Sequence, residues 1–171
     1  AADFINFCDA YDIPVLSLTN VKGYAADVRS EKSIAKAVAK LTYAFANANV
    51  PKVNVITGEA YGSAYVTMNS KALGADVTYA WPDASIGMMD ANEAAKIMYA
   101  DDIAKSADVQ SVISEKAAEY AALQSGVESA AARGYVDTII NPEDTRKYVI
   151  AAFEMLFDKR EVRADKKHGT V

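Results

Sequence analysis

Apolar residues recur at helical spacing from the start of the chain, with Phe4, Phe7, Cys8 and Tyr11 at i, i+3, i+4 and i+7. The helix they predict ends near Asp12, and Pro14 opens a short apolar strand over residues 15–18. Residues 20–30, with Gly23-Tyr24 and several small side chains, read as a loop. A longer helix follows with Ile34, Val38, Leu41 and Phe45 on one face, broadened by Ala35, Thr42 and Ala46, until Pro51 stops it. Val53, Val55 and Thr57 alternate as a second strand. Helical spacing resumes at Ala64, Met68, Lys71 and Ala72 and closes at Gly74. A third strand is predicted over 77–81, a turn at Pro82-Asp83 and a fourth strand over 86–89. Residues 91–100 and 105–124 read as helices, the second charged and rich in Ala and Glu. Gly126 and Gly134 frame a small-residue helix, residues 135–140 a last strand. Asn141-Pro142 starts the final helix, with Val149, Ala152, Phe153 and Leu156 inward, and a charged, extended tail follows.

Helices alternating with strands imply α/β architecture with mostly parallel strands and crossover helices, which does not by itself imply a function. The 171 residues suffice for one domain with a core, and a 51% apolar composition excludes disorder. A net charge of −5 gives no electrostatic reason to bind nucleic acid or an anionic membrane. No apolar run approaches the roughly 20 residues of a membrane span. The single cysteine, Cys8, precludes an internal disulfide, fits a reducing cytosol and reads as core filler. The chain opens inside an amphipathic pattern without an initiator Met, which suggests a domain excised from something larger. Apolar helices exposed at such an edge would favour self-association.

Side-chain chemistry is sparse. The only histidine, His168, lies in the tail, and no Cys/His cluster has zinc-ligand spacing. No glycine-rich phosphate fingerprint is present. Asp76, Asp83, Asp90 and Glu93 are scattered and read as solvated or capping groups. The unusual stretch is Tyr61-Gly62-Ser63-Ala64-Tyr65, three small residues between tyrosines where a strand hands over to a helix. Two readings stand equal on these residues. Small side chains there permit close packing of strand on helix, or they let a ligand oxygen reach backbone N–H groups that carry partial positive charge. Ser63 as a nucleophile is a third reading, which would need a distant base such as His168.

Three blocks, "FINFCDAYDIPVLSLTNVKGY", "AKLTYAFANANVPKVNVITGEAYGSAYVTMNSKALGADVTYAWP" and "AARGYVDTIINPEDTRKYV", resemble consecutive segments of the biotin-dependent carboxyltransferases. The likeness is to the C-terminal half of acyl-CoA carboxylase β subunits and of methylmalonyl-CoA decarboxylase α chains, and it extends to the basic ending at Lys167-His168-Gly169. The resemblance implies a crotonase-like spiral of β-β-α units, here a single C-terminal domain over residues 1–171 of a two-domain chain. It implies carboxyl transfer between carboxybiotin and an acyl-CoA of propionyl/methylmalonyl or acetyl/malonyl type, with this domain supplying the biotin side. The N-terminal domain of another protomer would supply the acyl-CoA side, and biotin would arrive on a biotin carboxyl carrier protein. Biotin itself then serves as base, which suits a chain poor in acid–base residues. Matched residue by residue, the family's Gly-Gly-Ala-Tyr falls on Gly62, Ser63, Ala64 and Tyr65. The backbone N–H groups of Ser63 and Ala64 would hold the biotin ureido oxygen, and Val66 falls where acyl-chain preference is set. Gly23 and Tyr24 occupy a loop that frames the site.

This chain departs from the pattern at several points. Lys22-Gly23-Tyr24 replaces Pro-Gly-Phe, Lys32-Ser33 replaces Gly-Gly, Asp90 and Glu93 replace glycines, and Ser63 replaces the second glycine of the motif. Each change adds a side chain near the expected approach of ligand. A rival expectation is therefore a degenerate crotonase-like domain kept for assembly of a carboxylase or decarboxylase complex.

Overall fold

A computed structural model describes residues 1–106 and 108–161. Its elements run α1 (Ala2–Ala10), β1 (Val15–Val21), α2 (Val28–Asn47), β2 (Lys52–Tyr61), α3 (Gly62–Thr67), β3 (Val77–Ala80) and β4 (Ser85–Gly87). These are followed by α4 (Ala91–Met98), α5 (Ala100–Lys105), α6 (Val109–Tyr120), α7 (Val127–Ala132), β5 (Thr138–Ile139) and α8 (Thr145–Met155). The strands form one parallel sheet ordered β1-β2-β3-β5, and β4 joins β2 further along.

β2 organises the sheet because it pairs with three strands, β1, β3 and β4. Val53 to Ile56 pair with Val77 to Ala80 of β3, while Glu59 to Tyr61 pair with Ser85 to Gly87 of β4. Lys52 to Ile56 are all buried, the signature of a central strand covered on both faces. The register with β1 slips between Thr19 and Val21, where Asn20 Oδ1 accepts the Glu59 N–H at 3.0 Å. Gly58 leaves room for the Asn20 side chain in that position, since a Cβ there would stand 2.8 Å from its oxygen and push it aside. β2 therefore reaches Tyr61 and delivers the chain directly into α3.

Three apolar clusters hold the layers together. Ile56, Ala60, Tyr65, Ala80, Ile86, Val127 and Val136 pack together on one side of β2. Val53, Val55, Tyr79, Ile140 and Ala152 join the sheet to α8. Ile5, Cys8, Val15, Ala44, Phe45 and Val50 join α1 to the end of α2.

Most elements stand where the pattern predicts, with four differences. In α1 the buried positions are Ile5 and Cys8, whereas Phe4, Phe7 and Tyr11 are exposed. The smaller side chains let α1 approach Ala44 and Ala48, and the aromatic rings are left on the outer face. The helix expected from Ala64 to Gly74 ends at Thr67, because Asn69 takes a left-handed φ of 56° and Ser70 caps a separate turn through Leu73 N–H. The helix expected over 105–124 is interrupted: Ser106 Oγ accepts the Asp108 N–H, and Asp108 caps α6 through Ser111 N–H. The last strand contracts to Thr138–Ile139. Cys8 is buried as core filler. His168, the basic ending and the extended tail lie outside the described residues.

Candidate functional site

The junction of β2 and α3 is built around Gly62. Its φ of 58° is left-handed, and a Cβ there would meet the Met88 carbonyl oxygen at 3.0 Å. The position thus requires glycine twice, for its backbone angle and for the close approach of the segment after β4. Tyr61 stops short of the site: its hydroxyl donates to Ser85 Oγ at 2.8 Å, and Ser85 Oγ donates on to the Ser125 carbonyl at 3.4 Å. These bonds pin the end of β2 to β4 and to residues 121–125.

After Gly62 the side chains diverge. Ser63 is exposed, Ala64 is buried, and Val66 is exposed to 40% on the outer side of α3. Tyr65 turns inward against Ile56, Ala60 and Ile86, and its hydroxyl has no hydrogen-bond partner. Burial pushes that hydroxyl up to about 12. Tyr65 therefore anchors α3 in the core.

The Ser63 carbonyl is held by two donors. Thr67 Oγ1 donates to it at 2.8 Å, and the Tyr24 hydroxyl lies 3.1 Å from it and 3.0 Å from Thr67 Oγ1. Tyr24 thereby ties the β1–α2 loop to the first turn of α3. Gly23 stands beside it with open space around its Cα. Sequence reasoning placed Tyr24 near the site on resemblance but missed this bond, which spans 39 residues. Thr67 carried a local signal, since a threonine four residues after a helical carbonyl commonly bonds back to it. Below the junction, Val21, Tyr24, Ile34, Val38, Ala64 and Thr67 help to line a mostly apolar cavity of about 420 Å³ between α2 and α3.

The residues that depart from the expected pattern have the following surroundings. Asp90 caps α4 by accepting the Asn92 N–H at 2.9 Å, and Glu93 pairs with Lys96 at 2.7 Å. Lys22 pairs with Glu59 at 3.1 Å, and that hydrogen-bonded carboxylate, aided by its charge, raises the Lys22 pKa. Lys32 and Ser33 lie on the exposed side of α2. Asp76 accepts the Lys52 N–H at 2.7 Å and pairs with Lys159, so it too is structural. Among the described residues no group of His, Cys, Asp and Glu could hold a metal ion, and no helix is long and apolar enough to cross a membrane.

A family model described as the carboxyl transferase domain matches residues 1–171. The chain belongs to the carboxyl transferase domain family. It is 46% identical to the propionyl-CoA carboxylase beta chain of Saccharopolyspora erythraea, over 100% of this chain and 32% of that one. It is 43% identical to methylmalonyl-CoA decarboxylase subunit alpha of Propionigenium modestum, over 99% of this chain and 33% of that one. Among solved structures it superposes on transcarboxylase 12S, a hexamer assembly with methylmalonyl-coenzyme A and methylmalonic acid bound. The TM-score is 0.94 at 42% identity, over 99% of this chain and 33% of that one. The α/β parallel sheet is accordingly the crotonase-like fold of this family. The chain spans about a third of the length of the relatives it matches.

Proposed function

We propose that this chain is the biotin-side domain of a biotin-dependent acyl-CoA carboxyltransferase, acting on a propionyl/methylmalonyl-type thioester. The observation that carries the reading is Gly62: its left-handed φ and its contact with Met88 build a tight turn at the position of the family's glycine motif. Relatives named for propionyl-CoA and methylmalonyl-CoA chemistry match the whole chain and support the substrate class.

The residues present suit a biotin ureido ring. Ser63 is exposed at the turn, the small Ala64 follows it, and the one ionisable side chain of the motif, Tyr65, is buried in the core. The N–H groups of Ser63 and Ala64 are the donors in this reading. Donors set in place before reaction stabilise developing negative charge without reorganising, an effect of about 3 to 4 kcal/mol per donor in comparable sites. When bound, carboxybiotin supplies the carboxyl group and the base. Val66 gives an apolar rather than a charged boundary on the outer side of α3. The acyl-CoA half of the site, the carrier protein and a carboxyltransferase N-terminal domain would come from outside this chain.

The rival reading, a degenerate assembly domain, rests on Lys22, Asp90 and Glu93. Each of these has a partner of its own near at hand.

The test is to supply carboxybiotin and propionyl-CoA to the full-length protein and, separately, to the 171-residue chain. The full-length protein is expected to form methylmalonyl-CoA and the chain alone to form little. Robust carboxylation by the chain alone would overturn the division of labour proposed here.

A further inference from the structure

We infer that Tyr24 is a positioning residue, one that orients the Ser63–Ala64 peptide through the Ser63 carbonyl. The inference rests on the biotin-side reading above. The peptide unit is planar, so the Ser63 C=O and the Ala64 N–H point in opposite directions from one rigid plate. Whatever fixes the carbonyl also fixes the N–H. Thr67 Oγ1 donates to that carbonyl at 2.8 Å from within α3, and the Tyr24 hydroxyl, at 3.1 Å, approaches it from a different element. With Thr67's hydrogen given to Ser63, Tyr24's hydrogen is shared between the carbonyl and Thr67 Oγ1, 3.0 Å away. Two donors on one carbonyl also polarise the peptide, making the opposite N–H a better donor.

Tyr24 is otherwise placed as a loop residue. It is 39% exposed and sits between β1 and α2, where Asp27 caps α2 through Arg29 and Ser30 N–H. Its hydroxyl is placed where it bears on the peptide that carries a donor.

The experiment uses the full-length protein, methylmalonyl-CoA as carboxyl donor and free biotin as acceptor, with each varied at saturation of the other. Tyr24→Phe removes one neutral hydrogen bond and keeps the ring. It is expected to lower kcat/KM for biotin about three- to tenfold, with KM for methylmalonyl-CoA and the melting temperature unchanged. Thr67→Val withdraws the other donor from the same carbonyl and should show the same selective loss; it gives the reading if the Tyr24 variant does not fold. Unchanged biotin parameters, or an equal loss in the biotin and acyl-CoA terms, would overturn the positioning role. Ala64→Pro, which lacks the N–H itself, separates the two levels. If folded Ala64→Pro transfers to biotin at the wild-type rate, the biotin-side reading fails. If Ala64→Pro loses transfer while Tyr24→Phe does not, only the role of Tyr24 fails.

Discussion

A Cβ built on Gly62 would lie 3.0 Å from the carbonyl oxygen of Met88, a backbone atom that cannot swing aside. Together with a φ of 58°, this makes Gly62 the least replaceable residue of the β2–α3 junction. Gly62→Ala is expected to destabilise the protein by about 1 to 3 kcal/mol, from left-handed strain and displacement of the segment after β4. Urea unfolding measures it; an unchanged midpoint would mean that the turn adapts without strain.

Tyr65 gives a pH-dependent expectation. Burial, with a smaller contribution from Tyr135, raises its hydroxyl from 10.0 to about 12, so the folded state favours the neutral phenol. The associated stability is complete below the unfolded value and is lost as pH rises through the folded one. Tyr65→Phe should flatten alkaline destabilisation between pH 10 and about 12. Because the hydroxyl has no partner, the same change should raise stability at pH 7 by about 1 kcal/mol. A loss of stability at neutral pH would contradict the assignment of an unpaired hydroxyl.

Asp76 joins three parts of the fold. Its carboxylate accepts the Lys52 N–H at the start of β2 and pairs with Lys159 beyond α8 at 2.9 Å, with both side chains largely buried. Asp76→Ala removes the acceptor of the Lys52 N–H and one of the Lys159 ion pairs, while Lys159 keeps Glu161 at 3.0 Å and the Val50 carbonyl at 3.3 Å. It is expected to cost about 1 to 3 kcal/mol. Lys159→Met, which removes the charge together with its long polar tip, should cost less. Denaturant titrations of both variants test the order.

Asp90 belongs to α4 as its N-cap. Asp90→Ala should cost about 1 kcal/mol, and Asp90→Gly only a few tenths, because glycine leaves the cap amides open to water. Both variants should keep the biotin parameters of the wild type. A large gain in carboxyl transfer on Asp90→Gly would show that the carboxylate obstructs the site.

The sheet and most helices were legible because their signals are local. Val53 to Ile56 announce a covered strand, and Pro51 and Pro142 mark where helices stop and start. α1 misleads because periodicity weighs side-chain size, while packing against Ala44 and Ala48 rewards closeness and buries Ile5 and Cys8 instead of three aromatics. The breaks at Asn69 and Asp108 were written in capping residues, set inside apolar spacing that masked them. At the candidate site, the small residues of the junction were visible as a stretch. The contacts that shape it were not: Gly62 with Met88, Tyr24 with Ser63 and Tyr61 with Ser85 each join segments at least 24 residues apart, and only the fold brings them together.

The most direct test of the central claim is carboxyl transfer from radiolabelled methylmalonyl-CoA to free biotin by the full-length protein and by folded Ala64→Pro. Biotin-side catalysis at Ser63 and Ala64 requires transfer by the wild type and a fall of about 100-fold or more in the variant. Wild-type transfer in Ala64→Pro, or none in the wild type, would contradict it.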